Sequence, residues 1–449
     1  MPLGRQPLSL REKLAYGLGD SAANFVFQTQ ITFLMYFYTD VFGISAAVAG
    51  TILLVSRVVD AFIDPIVGAL ADRTNTRWGR YRPWVLWTAV PMAIALVLCY
   101  TTPNLDTTGK IIWAIATYNL LMVVYAANNI PYSALSGVMT DDTSERTSLA
   151  SWRFLCAVAA TLVVNVFTLD MVKYFGQADA ALGFQRVMGV WGLLAVIFFT
   201  ITFASTKERI SPSPRQRSTL FQDLSDLFRN GPWIALFILG VLIYVQLALR
   251  GGSMLYYFSH YLDRADLFGW FNGIGLAVAM IGVFLSNSLS ERFGKRNTFR
   301  VCLLLSACFM ASIALLPRDA LRTMFALQIL MQLSFGPTIP LMWTMMADVA
   351  DYSEWRTGRR STGLAFASIV FGMKLGFGIG AWLNGELLHL AGYSANGEQS
   401  DETLRTISLL VSVFPACALL AGFVVLFCYG IDKRLEQQIE VTLRERRSE

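Results

Sequence analysis

Two carboxylates, Asp60 and Asp64, stand four residues apart in the apolar run LLVSRVVDAFIDPIVGALADRT. At that spacing they share one face of a helix. A charge inside a bilayer costs roughly 2.5–3.5 kcal/mol per residue even on insertion scales, so two retained acids point to a coupling cation or proton. The competing reading is a structural ion pair with Arg57, one turn back on the same face. A single arginine would leave one of two adjacent carboxylates poorly compensated.

Other polar residues recur at helical spacing within apolar runs. Asp20, Asn24 and Gln28 form an i, i+4, i+8 stripe, and Tyr125, Asn128, Asn129, Tyr132 and Ser136 surround the sequence IPY. Pro131 removes a backbone hydrogen bond there and is expected to kink its helix. The asparagines read either as solute contacts or as interhelical glue. Arg153 opens the fifth apolar run, at its cytoplasmic edge or within the site, whereas Arg250 and Lys374 lie deeper, where snorkelling is harder. These two either face a solute or pair with Asp20, Asp60 or Asp64. Trp343, and with it Tyr256 and Tyr257, offers a face for the apolar side of a sugar ring, although a chain with 13% aromatic residues places such rings by chance too. The candidate solute site is thus Asp20, Asn24, Asn129, Tyr132, Arg153, Arg250, Trp343 and Lys374.

The elements that hold these residues are membrane spans. The chain has 449 residues, 55% hydrophobic and only 15% charged, with a mean hydropathy of +0.51, as in polytopic membrane proteins. Apolar runs long enough to cross about 30 Å of hydrocarbon number about twelve: roughly 14–39, 46–71, 83–102, 110–137, 149–173, 184–205, 233–259, 267–290, 299–316, 322–347, 362–390 and 406–430. The polar N-terminal stretch before the first run has no signal-peptide pattern, so that run is expected to remain in the mature protein. An all-α protein of two six-helix bundles follows, with residues 1–205 in the first, 206–232 as a cytoplasmic linker, 233–430 in the second and 431–449 as a cytoplasmic tail. Within the linker, LFQDLSDLF has the period of an amphipathic surface helix. Lys and Arg concentrate in alternate loops and at both ends, which places both termini in the cytoplasm.

The halves repeat. GALADRTNTRWGRYR after the second run matches SNSLSERFGKRNTFR after the eighth, setting Asp72 against Glu291, Gly79 against Gly294 and Arg80 against Lys295. MTDDTSERTS likewise matches MADVADYSEWRTG, with Asp141 against Asp348 and Glu145 against Glu354. Such a duplication places a solute near the midplane where the halves meet. Asp72, Arg73, Arg80, Arg82, Asp348, Asp351, Glu354 and Arg356 bring both charge signs to one membrane face. They read as a gate that breaks on opening, against the simpler reading of a positive-inside flank.

The rest of the sequence narrows the class. The six cysteines include no CxxC pair, so no disulfide framework or metal centre is signalled. The only histidines are His260 and His389, and no HExxH, Walker loop or nucleophile elbow occurs, which argues against an enzyme. A transporter of lipids or other amphiphiles is the main rival, and the Asn-rich stripes favour a hydrophilic solute. No cofactor is expected beyond a coupling H+ or Na+. The partners are a small sugar and membrane lipid, with no nucleic acid, and the chain reads as a monomer.

KLAYGLGD (13–20), YFYTDVFG (36–43), DAFIDPIVG (60–68), TRWGRYRPW (76–84), NIPY (129–132) and MADVADYSEWRTGRR (346–360) together resemble the glycoside–pentoside–hexuronide:cation symporters of the major facilitator superfamily, from about Leu10 to Lys433. The resemblance implies the major facilitator fold and cation-coupled sugar symport by alternating access in a bacterial inner membrane. It implies the coupling cation at Asp60 and Asp64, sugar contact at Arg153, and Lys374 close to both sites. This chain departs from melibiose permease in carrying Ala23 and Asn24 for a Lys-Asp pair and Asn129 for a sugar-binding aspartate, which makes a galactoside doubtful. It also carries Ile63 and Ala126 in place of an asparagine and a threonine, two oxygen ligands that a hard cation favours. A proton is therefore expected over sodium. The remaining positive charge raises an anionic glycoside such as a hexuronide as a substrate, against a neutral pentoside or disaccharide.

Overall fold

The computed structural model describes residues 8–140, 142–209, 230–357, 362–395 and 397–448. The linker helix expected at LFQDLSDLF, and Asp141 of the second repeat match, lie outside the described residues. Among those described the chain is almost wholly helical, because each apolar run satisfies its backbone hydrogen bonds internally as hydrocarbon requires.

The first half has six helices: α1 (Leu10–Tyr36), α2 (Ala46–Arg73), α3 (Arg82–Cys99), α4 (Thr107–Met139), α5 (Thr143–Gly176) and α6 (Ala180–Ser205). The second half follows as α7 (Gly231–Tyr256), α8 (Phe268–Phe293), α9 (Lys295–Ser312), the interrupted span α10 (Leu321–Phe335) and α11 (Thr338–Thr357), α12 (Thr362–Leu390), and a second interrupted span, α13 (Asp401–Val411) and α14 (Val413–Val425). An amphipathic α15 (Lys433–Ser448) ends the chain and buries Ile439 and Leu443. Eleven spans among the described residues are long and apolar enough to cross a membrane. α1 is not one of these; it has the length, 27 residues, but carries the polar stripe and three charges in its first turn.

Local signals explain the helix ends. Ser9 and Glu12 form a capping box on α1, and Ser45, Asp106 and Asp179 cap α2, α4 and α6 through their side chains. The α10–α11 break falls at Gly336 and Pro337, and Pro337 has no N–H to continue the ladder. α4 instead runs through Pro131 as one helix.

The chain divides into two compact units, Met1–Pro214 with Ser394–Glu398, and Arg215–Tyr393 with Gln399–Glu449. Both units are built alike. In the first, α1 packs on α5 and α6, α3 on α4 and α6, and α2 on α4; in the second, α7 packs on α12 and α14, α9 on α10 and α14, and α8 on α10. Each unit's first helix also ends in a π-helical turn, Phe37–Val41 in one and Tyr257–Tyr261 in the other. The aligned glycines of the repeat, Gly79 and Gly294, both take positive φ, +111° and +79°. Close backbone approach fixes α12 on α7, where a side chain at Gly376 or Gly380 would overlap the carbonyl oxygen of Val241 or Val245.

Candidate functional site

In the first unit, α1, α4 and α5 bring four of the expected solute residues together. Arg153 Nε lies 3.1 Å from Asp20 Oδ1, and its guanidinium carbon sits 5.2 Å from the centroid of the Tyr132 ring. Tyr132 is itself fixed: it stacks on Tyr16 at 4.8 Å, its hydroxyl donates to Tyr16 O at 2.5 Å, and the Tyr16 hydroxyl donates to Tyr132 O at 3.3 Å. This reciprocal pair joins α1 to α4 and holds a flat apolar face beneath a charge-balanced cation and anion. Asn24 donates to Asp20 O, one turn back on its own helix, at 2.8 Å, and keeps its amide oxygen for other partners. Asn129 is half-buried. Its neighbour Asn128 is buried and donates to Thr88 Oγ1 at 2.8 Å and Val85 O at 3.3 Å, so of the two it is Asn128 that ties α4 to α3.

The two carboxylates expected to couple the cation lie on α2. Asp60 is 3% exposed and its Oδ2 is 4.0 Å from Arg57 Nη1, while Asp64 is half-buried one turn on. Arg57 stands over Phe27 at 5.7 Å, and Phe27 stacks on Tyr125 at 5.9 Å. The expected ion pair and the expected coupling carboxylate are therefore one arrangement. Arg57 compensates Asp60, and Asp64 adds a second acid on the same helix face.

In the second unit Arg250 is 6% exposed, and its two amino groups donate to Val411 O at 2.9 Å and Gln328 Oε1 at 2.7 Å. It thereby joins α7 to α10 and to the last turn of α13. That is the geometry of a strut. Lys374 is half-buried on α12. Trp343 is 47% exposed and lines an apolar cavity of about 210 Å³ with Tyr244, Leu247, Met342 and Met373; Tyr256 and Tyr257 are buried elsewhere in the unit.

The loop motifs are held by partners that the sequence reading missed. In TRWGRYR, the Glu208 carboxylate accepts the backbone N–H groups of Arg80 (2.9 Å), Tyr81 (2.7 Å) and Arg82 (2.9 Å). An anion thus caps the start of α3, where helix dipole and free N–H groups favour it. Arg82 donates to Phe203 O at 2.6 Å and Trp78 O at 3.1 Å. Tyr81 donates to Asp72 Oδ1 at 2.9 Å; burial, with that carboxylate beside it, raises the Tyr81 pKa and keeps the donor protonated. Arg73 and Arg356 are exposed, and Asp351 and Glu354 half-buried. In the second unit Lys295 Nζ bridges Asp348 at 2.7 Å and Glu436 of α15 at 2.9 Å. The bonds of Arg82 and Asp348 thus run within their own units. A glycine flanked by basic residues was the visible signal for the nest; the acid that fills it, 129 residues on from Gly79, was not.

A duplicated six-helix unit with ionisable residues on its first, second, fourth and fifth helices defines a secondary transporter of the major facilitator fold. The chain matches the family described as MFS/sugar transport protein over residues 15–433. It belongs to that family, among the glycoside–pentoside–hexuronide:cation symporters. It is 39% identical to YagG of Escherichia coli K12, named as a putative glycoside/cation symporter, over 96% of this chain and 94% of that one. It is 35% identical to an isoprimeverose transporter of Lactiplantibacillus pentosus, over 94% and 89%, and 32% identical to a glucuronide carrier protein homolog of E. coli K12, over 98% and 97%. Among solved structures it is similar in fold to a D-xylose-proton symporter, with a TM-score of 0.65 at 14% identity over 94% of this chain and 97% of that one. The protein is a multi-pass inner-membrane transporter that moves sugars with a coupling cation; it is not an enzyme.

Proposed function

We propose that the protein is a proton-coupled symporter of an uncharged glycoside or pentoside, working by alternating access with both termini in the cytoplasm. The observation that carries this reading is the 3.1 Å pair of Asp20 and Arg153 above the Tyr132 ring. An arginine alone would favour an acidic sugar. Paired with Asp20, it offers donors beside an acceptor, and the two together suit vicinal hydroxyls while the aromatic face takes the C–H side of a sugar ring. Asn24 and Asn129 add amide donors and acceptors to that pair, and Lys374 and Trp343 are proposed as solute contacts within their own unit.

Proton coupling is supported by the make-up of the α2 site. Ile63 lies between the two acids and Ala126, on α4, is buried, so neither supplies an oxygen for sodium, whereas a proton needs only a carboxylate. Asp60 and Asp64 are the proposed carriers. The charged loop residues Asp72, Arg73, Arg80, Arg82, Asp348, Asp351, Glu354 and Arg356 are proposed to brace the cytoplasmic ends whose rearrangement opens the path inward.

Uptake by the purified protein in sodium-free liposomes with an inward pH gradient tests both parts. Concentrative uptake of a neutral glycoside is expected; an absolute need for sodium overturns the ion, and transport of only acidic sugars overturns the substrate. A hexuronide remains the second reading, favoured by the glucuronide carrier relative.

A further inference from the structure

On the surface of the second unit, α8, α9 and the α10–α11 break enclose an apolar groove of about 410 Å³. Leu285, Leu289 and Phe293 line it from α8, Val301 and Leu305 from α9, and Pro337 from the break. They recur at i, i+4 and i+8 along α8, so the groove follows one helix face. Its deep end is closed by the α8–α10 crossing. A side chain on Gly282 would come within 2.6 Å of Leu333 O and 2.9 Å of Pro337, so the two elements are in close contact there. From Leu285 to Phe293 the helix rises about 12 Å at 1.5 Å per residue. That is close to the roughly 15 Å of hydrocarbon in one leaflet.

The open end carries charge. Arg292 is exposed on the turn with its guanidinium 5.4 Å from the ring of Phe293, and Asn297 lines the mouth. The other basic groups of this segment are engaged: Lys295 by Asp348 and Glu436, Arg296 by Tyr429 O, and Arg300 by Leu426 O. Glu291 is exposed beside Arg292 and is the acid nearest to it in sequence.

We propose that this groove binds one anionic phospholipid from the adjoining leaflet, an acyl chain lying along Leu285–Phe293 and the phosphate held by Arg292 and Asn297. Inside a bilayer an apolar groove gains little from hydrophobicity, because lipid tails are everywhere. Selectivity must then come from the head group, through the charge-assisted hydrogen bonds of an arginine to phosphate.

The full-length protein, purified in detergent, is offered an equimolar mixture of phosphatidylglycerol and phosphatidylcholine with identical chains and examined by native mass spectrometry. Preferential retention of one phosphatidylglycerol, by several-fold, is expected. Val301→Trp and Leu289→Trp fill the groove from opposite walls and should each abolish that retained lipid, with a melting profile confirming that they fold. Arg292→Gln should keep a bound lipid and lose the preference between head groups. Equal retention by both tryptophan variants, or an undiminished preference in Arg292→Gln, overturns the site. So does a high yield of Val301→Cys disulfide dimers in native membranes, which would show that a second copy covers this face.

Discussion

Replacing Asp20 by Asn removes the charge that balances Arg153 without removing the side chain. With Oδ1 3.1 Å from Arg153 Nε, the Coulomb attraction at an effective dielectric of about 20 is 332/(20 × 3.1), or about 5 kcal/mol. Deleting one partner of a buried pair costs about 3–5 kcal/mol; the Arg153 side chain is 31% exposed, so the lower end applies. A ligand carboxylate placed near the guanidinium would recover part of that cost. Recovery of even a third to a half, about 1.4 kcal/mol, changes relative affinity tenfold. The assay is competition: a hexuronide and the matching neutral hexoside are each titrated against uptake of a labelled substrate. In Asp20→Asn the ratio of their half-inhibitory concentrations should swing at least tenfold toward the acidic sugar, whereas Asp20→Glu should leave it near wild type. An unchanged ratio, with both sugars weakened alike, would mean that the pair is only a strut between α1 and α5, and the argument for an uncharged substrate would fail.

Asp60→Asn should abolish concentrative uptake driven by a pH gradient and spare substrate exchange at equal pH, measured as counterflow in liposomes; persistent gradient-driven accumulation would remove Asp60 from the proton path. Gly79→Ala places a Cβ 2.5 Å from the Glu208 carboxylate at a φ of +111°. Strain of about 1–3 kcal/mol and displacement of the three N–H bonds should lower the melting temperature by several degrees in detergent, and Glu208→Ala should fall by a comparable amount. Arg250→Met leaves Gln328 Oε1 and Val411 O without their donor and should destabilise by about 3 kcal/mol, with equal loss of uptake for neutral and acidic sugars. Selective loss for acidic sugars alone would restore Arg250 to the solute site.

Helix positions were legible because hydrocarbon imposes a period and a length on every span: the expected ends of α2, α3 and α6 lie within a few residues of those found. The duplication was legible because both loop motifs repeat, and the shared positive φ of Gly79 and Gly294 gives the match a backbone cause. Pairings across helices were not. Asp20 reads in sequence as part of a stripe with Asn24 and Gln28, and only the rotation of α5 shows that it meets Arg153. Arg250 looked free for a solute because Gln328, its acceptor, sits 78 residues away with nothing local to mark it. The linker opens with an acid, Glu208, whose role depends on three amide directions that no local pattern marks.

Glu208 and Arg209 also tie together the helices of the first six-helix unit. Beyond α6 the chain turns back, Glu208 filling the α3 nest while Arg209 donates its N–H to Val138 O at 2.8 Å and its side chain to Glu12 at 2.8 Å. A fragment severed at the last residue of α6 would lose the clasp that gathers α1, α3 and α4 at one end. To survive as a separately expressed half, it has to carry four more residues, Thr206 to Arg209, than its apolar spans alone would suggest.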